Sequence, residues 1–157
     1  MSDRGPEGRV DRAERLIAAP PGELWSAWSD PGRLVRWLPP ADATGEILAW
    51  DFRPGGAFSL RLTFRGAPGK TSDDTDVIAG RFVRVEAPGI LAHEGTFDSA
   101  DPAFAGTMRL TWTFAPEGSG TRAVVAATGV PPGIDQAVHE AALSESLSHL
   151  AAETEGR

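Results

Sequence analysis

The pair His139-Glu140 is the part of this chain that comes nearest to a familiar catalytic motif. It begins like His-Glu-x-x-His, in which two histidines one helical turn apart hold zinc and the glutamate acts as a general base. The second histidine would stand at position 143, where this chain has Leu143. The zinc-protease interpretation is therefore excluded. Two roles are left for the pair, structural hydrogen bonding and contact with a ligand, and both residues are kept as catalytic candidates.

His93 is the other histidine whose surroundings suggest a role, because it lies in the middle of a predicted strand beside Glu94. Neighbouring side chains of a strand point to opposite faces, so only one of the two faces the interior. We expect it to be His93, which shares its face with Leu91. Such a histidine is either a hydrogen-bonded structural residue or a general acid-base group. A metal bound by His93, His139 and Glu140 is a third interpretation, which their scattered positions do not favour, and we expect no metal.

Composition excludes several other kinds of function. The chain has no cysteine, hence no thiol nucleophile and no cysteine metal site, and it lacks a Gly-x-Ser-x-Gly elbow. The net charge of −7 opposes binding to nucleic acid, and no basic patch offsets it. No apolar run is long enough to cross a membrane, and residues 1–11 lack the apolar stretch of a signal peptide. We therefore expect a cytoplasmic protein with no nucleic-acid or membrane partner and no cofactor.

The elements that must position these residues belong to one globular domain. With 157 residues, 41% of them hydrophobic and 24% charged, the chain is typical of a single domain with a sizeable core. Residues 1–9 are polar and show no periodicity, which predicts a disordered N-terminal arm. The domain itself is predicted to span residues 10–154.

Most of the domain is predicted to be an antiparallel sheet. A first strand over 10–17 is followed by two short amphipathic helices, which begin at Pro20-Pro21 and at Asp30-Pro31. Alternation with period two and intervening turn residues then predict six strands, with a polar loop over 66–76 after the second of them. These strands cover 46–52, 58–64, 77–86, 90–97, 106–114 and 121–128. Strands joined so closely in sequence pair antiparallel.

The last element is a long helix predicted over about 131–153. Leu143, Leu147 and Leu150 form one stripe on it, and Gln136, His139 and Glu140 continue that stripe into the first turns. The helix should therefore pack tightly at its C-terminal end and direct polar groups toward the sheet at its start. Because burying such groups without partners costs about 1–3 kcal/mol each, we expect a cavity at that end.

Aromatic residues are divided between the core and this cavity. Trp25 and Trp28 follow helical spacing and are predicted to pack the short helices against the sheet. Trp37 ends the second helix beside Pro39-Pro40, where the mouth of a cavity would lie, which leaves it as either a core residue or a ligand contact. Trp112 is predicted to face the cavity together with Met108, Leu110 and Phe114, whereas Arg109 and Thr111 face outward.

Several short motifs occur here in an order that resembles a known family. They are Ala19-Pro20-Pro21 before Leu24-Trp25, Asp30-Pro31 before Arg36-Trp37, Arg53-Pro54-Gly55-Gly56, Gly120-Thr121-Arg122 before the last strand, and His139-Glu140 in the final helix. Together they cover residues 10–154 and resemble the SRPBCC (START-like) superfamily and, within it, the proteins similar to the activator of the heat-shock-protein-90 ATPase. The resemblance implies an α+β helix-grip fold, in which a curved antiparallel sheet of six to seven strands wraps around the long C-terminal helix and encloses an apolar cavity.

The chain also departs from the pattern of that family. Leu38 stands where a second tryptophan is common, Ala127-Thr128 where a His-Glu pair is common, and Ala142-Leu143 where a Gly-Trp pair is common. These replacements predict a roomier and less polar pocket. We therefore transfer no catalytic role of the family onto these positions.

The leading hypothesis is a binding protein for a small apolar molecule, oriented by His93, Gln136 or His139. One alternative is an enzyme of the cyclase, dehydratase or hydrolase kind with a cavity histidine or carboxylate as general acid-base, and the other is a chaperone ATPase-activating co-factor. These residues favour a binding protein over an enzyme, and they are compatible with either a monomer or a homodimer. The residues expected to contact the ligand are Trp37, Leu38, Phe58, Leu60, Leu62, His93, Leu110, Trp112, Gln136, His139, Glu140 and Leu143.

Overall fold

The computed structural model describes residues 8–66 and 74–156, which form one seven-stranded antiparallel sheet and three α-helices. In chain order the elements are β1 (Val10–Ile17), α1 (Pro21–Ser29), α2 (Pro31–Trp37), β2 (Ala43–Trp50), β3 (Ala57–Phe64), β4 (Thr75–Glu86), β5 (Ile90–Phe97), a short 3-10 helix (Pro102–Phe104), β6 (Met108–Glu117), β7 (Gly120–Thr128) and α3 (Gln136–Thr154). The strand order is β1-β7-β6-β5-β4-β3-β2. The predicted α+β helix-grip fold is confirmed.

The two short helices carry the chain from one edge of the sheet, β1, to the other edge, β2. Pro21 and Pro31 occupy first-turn positions, where a proline costs no helical hydrogen bond. Asp30 separates the helices, and its Oδ1 accepts a hydrogen bond of 2.9 Å from the Gly32 amide. The start predicted for each helix is therefore confirmed.

The long helix begins later than predicted. Asp135 caps it by accepting a hydrogen bond of 3.0 Å from the Val138 amide at Oδ2, so α3 starts at Gln136 and not at 131. The preceding residues form a turn, in which the Ile134 amide donates to the carbonyl oxygen of Pro131. The proline pair therefore precedes this helix and does not open it.

Strand boundaries differ from the prediction by a few residues, because tertiary pairing extends or shortens the strands. β2 covers Ala43–Trp50, where 46–52 was expected, and β6 covers Met108–Glu117, where 106–114 was expected. Gly106 has a φ of 106° and turns the chain before β6 begins. At the other end the β6–β7 hairpin is tight, since Glu117 pairs with Gly120 across a turn whose Gly118 has a φ of 61°.

Two predicted irregular segments fall largely outside the described residues. These segments are the arm over 1–9, of which the structure describes only Gly8 and Arg9, and the loop over 66–76, of which residues 67–73 are not described. Arg9 differs from the expectation of a disordered arm, because its guanidinium pairs with Asp11 at 2.8 Å. Arg9 is therefore held by an ion pair one residue before the predicted start of the domain.

The core is built around Trp28, which is fully buried. Its ring lies within 6.5 Å, centroid to centroid, of several others, namely Trp37, Trp50, Phe52, Phe58, Phe82, His93 and Trp112. The core role predicted for Trp28 is confirmed. Trp25 is only half-buried and packs against the core beside Phe52, at 5.5 Å between ring centroids.

The outer face of the sheet carries ion pairs, as the alternation predicts. Arg109 and Glu94 project outward and lie 2.7 Å apart, and Arg122 pairs with Glu117 at the same distance. On the inner side, α3 buries Leu143, Leu147 and Leu150, which confirms the predicted stripe. The sheet is therefore polar outside and apolar inside.

An ion-pair network fastens the short helices to α3, and it yields a prediction about stability. Glu153 Oε2 accepts hydrogen bonds of 3.0 Å from Arg33 Nε and from Arg36 Nη2. We expect Glu153→Ala to lower the free energy of unfolding in urea by about 1 to 2 kcal/mol, because Glu153 and Arg33 are largely shielded from water. The control is Glu46→Ala, which removes an exposed pair with Arg61 and should cost less than about 1 kcal/mol. Equal losses would show that the network contributes no more than a surface pair.

Candidate functional site

An internal cavity of about 460 Å³ lies between the first half of α3 and the inner face of the sheet. Its wall comes from the segment after α2, from β3 to β6, and from the start of α3. The lining residues are Leu38, Pro40, Asp42, Phe58, Leu60, Leu62, Phe64, Asp76, Ile78, His93, Gly95, Phe97, Met108, Leu110, Trp112, Ile134, Val138, His139, Ala142, Leu143 and Ser146. Most of them are apolar, so the cavity offers few hydrogen-bonding groups at defined places.

The space exists because neither wall fills it. The buried residues of α3 begin at Leu143, and upstream of them Val138 is 68% exposed. Across the cavity, Gly80 of β4 pairs with Gly95 of β5 in the ladder. A Cβ on Gly95 would stand 2.9 Å from Cγ2 of Ile78, and one on Gly80 would overlap the carbonyl oxygen of Glu94. The glycines therefore let the two strands approach closely, and Gly95 leaves its own part of the cavity wall without a side chain.

His93 is a buried ionisable group of the cavity wall, with 9% of its surface exposed. The indole Nε1 of Trp112 donates a hydrogen bond of 3.3 Å to its Nε2. Burial lowers the pKa of His93 to about 4, so the ring is neutral at pH 7. The predicted inward orientation of His93 is confirmed, and Glu94 points outward to Arg109.

His139 also lines the cavity, and a buried carboxylate holds it in place. Its Nδ1 lies 2.7 Å from Oδ2 of Asp11, whose side chain is fully buried, while the His139 side chain is 13% exposed. Arg9 donates to both carboxylate oxygens of Asp11 at 2.8 Å. Burial alone would raise the pKa of Asp11, but the hydrogen bonds from Arg9 and His139 outweigh it and hold that pKa below its ordinary value. Asp11 is therefore an anion at neutral pH.

Arg9 and Asp11 were not predicted from the sequence to be parts of the site. One signal was available, because Asp11 shares the inner face of β1 with Ala13 and Ile17 in an alternating pattern. A carboxylate on a buried face requires a partner, and Arg9 stands two residues earlier on the same side. Because residues 1–9 were predicted to form a disordered arm, Arg9 was not considered as that partner.

Gln136 and Glu140 lie outside the cavity lining, which corrects their expected placement. Nε2 of Gln136 donates a hydrogen bond of 3.0 Å to the carbonyl oxygen of Val10, and Oε2 of Glu140 accepts one of 2.9 Å from the Arg12 amide. β1 is an edge strand that pairs with β7 on one side. Both side chains thus bind backbone groups on the other side of β1.

Trp37 is also displaced from the mouth where the sequence placed it. Its ring is almost fully buried, and Nε1 donates a hydrogen bond of 3.0 Å to the carbonyl oxygen of Ala27. Leu38 and Pro40 lie at the cavity instead.

The other residues named from the sequence are brought together in the lining, namely Leu38, Phe58, Leu60, Leu62, His93, Leu110, Trp112, His139 and Leu143. That set omitted Asp76, Ile78, Gly95 and Phe97, which complete the inner rows of β4 and β5.

A second depression, of about 390 Å³, lies at the surface where α2, β2 and α3 meet. The side chains of Arg36 and His149 there are already engaged, because Arg36 pairs with Glu153 and Nδ1 of His149 lies 3.0 Å from the carbonyl oxygen of Trp37. It is therefore a weaker candidate than the interior cavity.

Within 8–66 and 74–156, no three histidine, aspartate or glutamate side chains are grouped closely enough to hold a metal ion. No helix in the same residues has the length and apolar character needed to cross a bilayer.

Comparison with known proteins identifies the family. The family model described as "Activator of Hsp90 ATPase homolog 1-like protein" matches residues 18–155. The chain belongs to this family. The resemblance found in its motifs is therefore confirmed, and the fold of this member of the family is that of the SRPBCC superfamily.

Solved structures share the fold of this chain. A Chromobacterium violaceum protein is 28% identical, with a TM-score of 0.85 over 94% of this chain and 98% of that one. An Arthrobacter aurescens protein is 19% identical, with a TM-score of 0.79 over 99% and 91%. An AHSA1-like protein from Aeromonas hydrophila is 22% identical, with a TM-score of 0.71 over 94% and 92%. Among curated proteins, the comparison finds no match.

Proposed function

We propose that this protein binds a small apolar molecule in the cavity between α3 and the sheet. The observation that carries the proposal is the volume of about 460 Å³ inside the domain, lined mainly by leucine, phenylalanine and other apolar side chains. Ligand pockets have volumes of this order, about 300 to 1,000 Å³. Proteins with this fold generally bind hydrophobic ligands, which supports the same function.

The rim of the cavity supports the entry of an apolar molecule. Val138 belongs to the first turn of α3 and lines the cavity, and yet most of its side chain is exposed. Leu38 and Pro40 also line the cavity, from the segment after α2. Apolar side chains on both sides give an apolar molecule a favourable surface before it is fully enclosed.

Filling the cavity is expected to prevent binding. In Leu110→Trp the larger ring would occupy space from β6, and the affinity for the neutral fluorescent probe N-phenyl-1-naphthylamine should fall at least about tenfold, as the lining loses room for the probe. The readout is the rise in probe fluorescence during titration. The matched control is Leu48→Trp on edge strand β2, where the leucine is 42% exposed and outside the cavity. A wild-type protein that leaves the fluorescence unchanged would contradict the proposal.

A second candidate is acid-base catalysis of the cyclase, dehydratase or hydrolase kind, and the Asp11–His139 pair supports it. The carboxylate holds Nδ1 of His139 at 2.7 Å, and Nε2 of His139 has no hydrogen-bond partner among the residues the structure describes. A histidine oriented in this way can take or give a proton at the cavity wall. The test is the hydrolysis of p-nitrophenyl acetate by the wild type and by His139→Gln, with folding checked by circular dichroism. Equal rates in both proteins and in buffer would remove this candidate.

A role as a chaperone ATPase-activating co-factor is supported only by the description of the family. The experiment is co-purification at low salt with the Hsp90-type chaperone of the same organism. Failure to recover a complex counts against this role and leaves the binding proposal untouched.

A further inference from the structure

The proton on the ring of His93 is assigned by its neighbour. An indole nitrogen only donates hydrogen bonds, so the contact of 3.3 Å between Trp112 Nε1 and His93 Nε2 requires Nε2 to accept. A neutral imidazole has one donor and one acceptor nitrogen. The proton of His93 therefore resides on Nδ1.

Nδ1 of His93 has access to the cavity. No residue that the structure describes accepts a hydrogen bond from it, because the one hydrogen bond of the His93 ring is the contact of Nε2 with Trp112. In the described part of the chain, Nε1 of Trp28 is the one fully buried side-chain nitrogen or oxygen that has no hydrogen-bond partner. Nδ1 of His93 has no partner either, so it is not fully buried and keeps some exposed surface. Because His93 lines the cavity and is nine-tenths buried, its N–H faces the cavity.

The surroundings keep this donor neutral. The rings of Trp28, Phe58 and Phe82 lie 5.4, 5.0 and 6.3 Å from the imidazole, centroid to centroid. Burial among them lowers the pKa of His93 to about 4. At neutral pH the cavity thus presents an uncharged N–H on an aromatic wall.

We propose that His93 donates its Nδ1–H to the carbonyl oxygen of a neutral apolar ligand, such as a ketone or an ester. This inference rests on the proposed function and narrows its ligand class. A hydroxyl group at the same place would accept the bond but leave its own hydrogen unpaired among aromatic rings, which costs free energy. A carboxylate buried at this place would need a positively charged partner, which a neutral histidine does not provide. A carbonyl oxygen satisfies the donor without either cost.

Two probes of almost equal shape test the proposal. 2-Acetylnaphthalene carries a carbonyl oxygen where 2-isopropenylnaphthalene carries a CH₂ group. We expect the wild type to bind the ketone about tenfold more tightly than the alkene, as one buried hydrogen bond allows. The affinities are measured by displacement of N-phenyl-1-naphthylamine. In His93→Phe the preference should fall to about one, and in His149→Gln, which alters a histidine outside the cavity, it should stay as in the wild type.

The outcomes separate this inference from the proposed function. If the wild type binds both naphthalenes equally, the carbonyl proposal fails and the binding of apolar molecules stands. If it binds neither, the proposed function fails.

A second measurement needs no ligand and no variant. Nitrogen-15 NMR of the wild type at pH 7 is expected to show His93 protonated on Nδ1 and unprotonated on Nε2. The opposite tautomer would overturn the assignment of the donor whatever the probes show.

Discussion

Replacing Asp11 with alanine is expected to lower the free energy of unfolding by about 3 kcal/mol, because it leaves the largely buried guanidinium of Arg9 without its counter-ion. The carboxylate also accepts a hydrogen bond from His139, so one substitution breaks contacts to both the N-terminal residues and α3. Arg9 continues the link by donating a hydrogen bond of 2.7 Å to the carbonyl oxygen of Ile134. The measurement is urea denaturation at pH 7.

The control for Asp11→Ala is Glu14→Ala on the same strand. Glu14 is half exposed and pairs with Arg12 and Arg122 on the outer face, so its loss should cost less than about 1 kcal/mol. Two variants of equal stability would show that burial adds nothing to the Asp11 pair. The stabilising effect of Asp11 should also fade in acid. Its pKa is lowered by folding, so the contribution is present above the unfolded pKa and is lost as the pH falls through the folded one.

Those parts of the fold with local causes could be predicted from the sequence. β5 has the expected bounds, Ile90–Phe97, because the alternation inside it and the turn residues before it agree. The start of α2 follows from Asp30, whose cap needs only the next two residues. The start of α3 was placed too early because the prolines that suit a first turn also suit the turn that precedes it.

The candidate site could be predicted only as far as faces of elements determine it. Leu110 and Trp112 were placed in the cavity because side chains alternate along a strand. Helical phase likewise places Glu140 on a packed face, but it does not say what packs there. The partner of Glu140 is the backbone of Arg12, 128 residues away, and that contact depends on β1 joining β7 at the far side of the sheet. Trp37 was misplaced for a similar reason, because its partner Ala27 belongs to another helix.

Acid is expected to destabilise the protein through His93 at a higher pH than through Asp11. The pKa of His93 is 6.5 in the unfolded chain and about 4 in the folded one, because burial disfavours the charged ring. Between these values the unfolded state binds a proton that the folded state does not, so stability is complete above pH 6.5 and decreases as the pH falls. Over the whole window the loss amounts to about 3 kcal/mol.

This loss is separable from that of Asp11, since the ordinary pKa of Asp11 is 3.8 and its contribution fades below the window. Urea denaturation of the wild type at intervals from pH 7 to pH 4 should give the predicted decline. His93→Phe should start less stable at pH 7, because Trp112 Nε1 loses its acceptor, but its stability should change little across the same range. His149→Gln should decline like the wild type, because it leaves the buried ring in place. If the free energy of unfolding depended on pH in the same way for the wild type and for His93→Phe, the imidazole would gain its proton while still buried among the aromatic rings. The aromatic wall would then not hold His93 neutral.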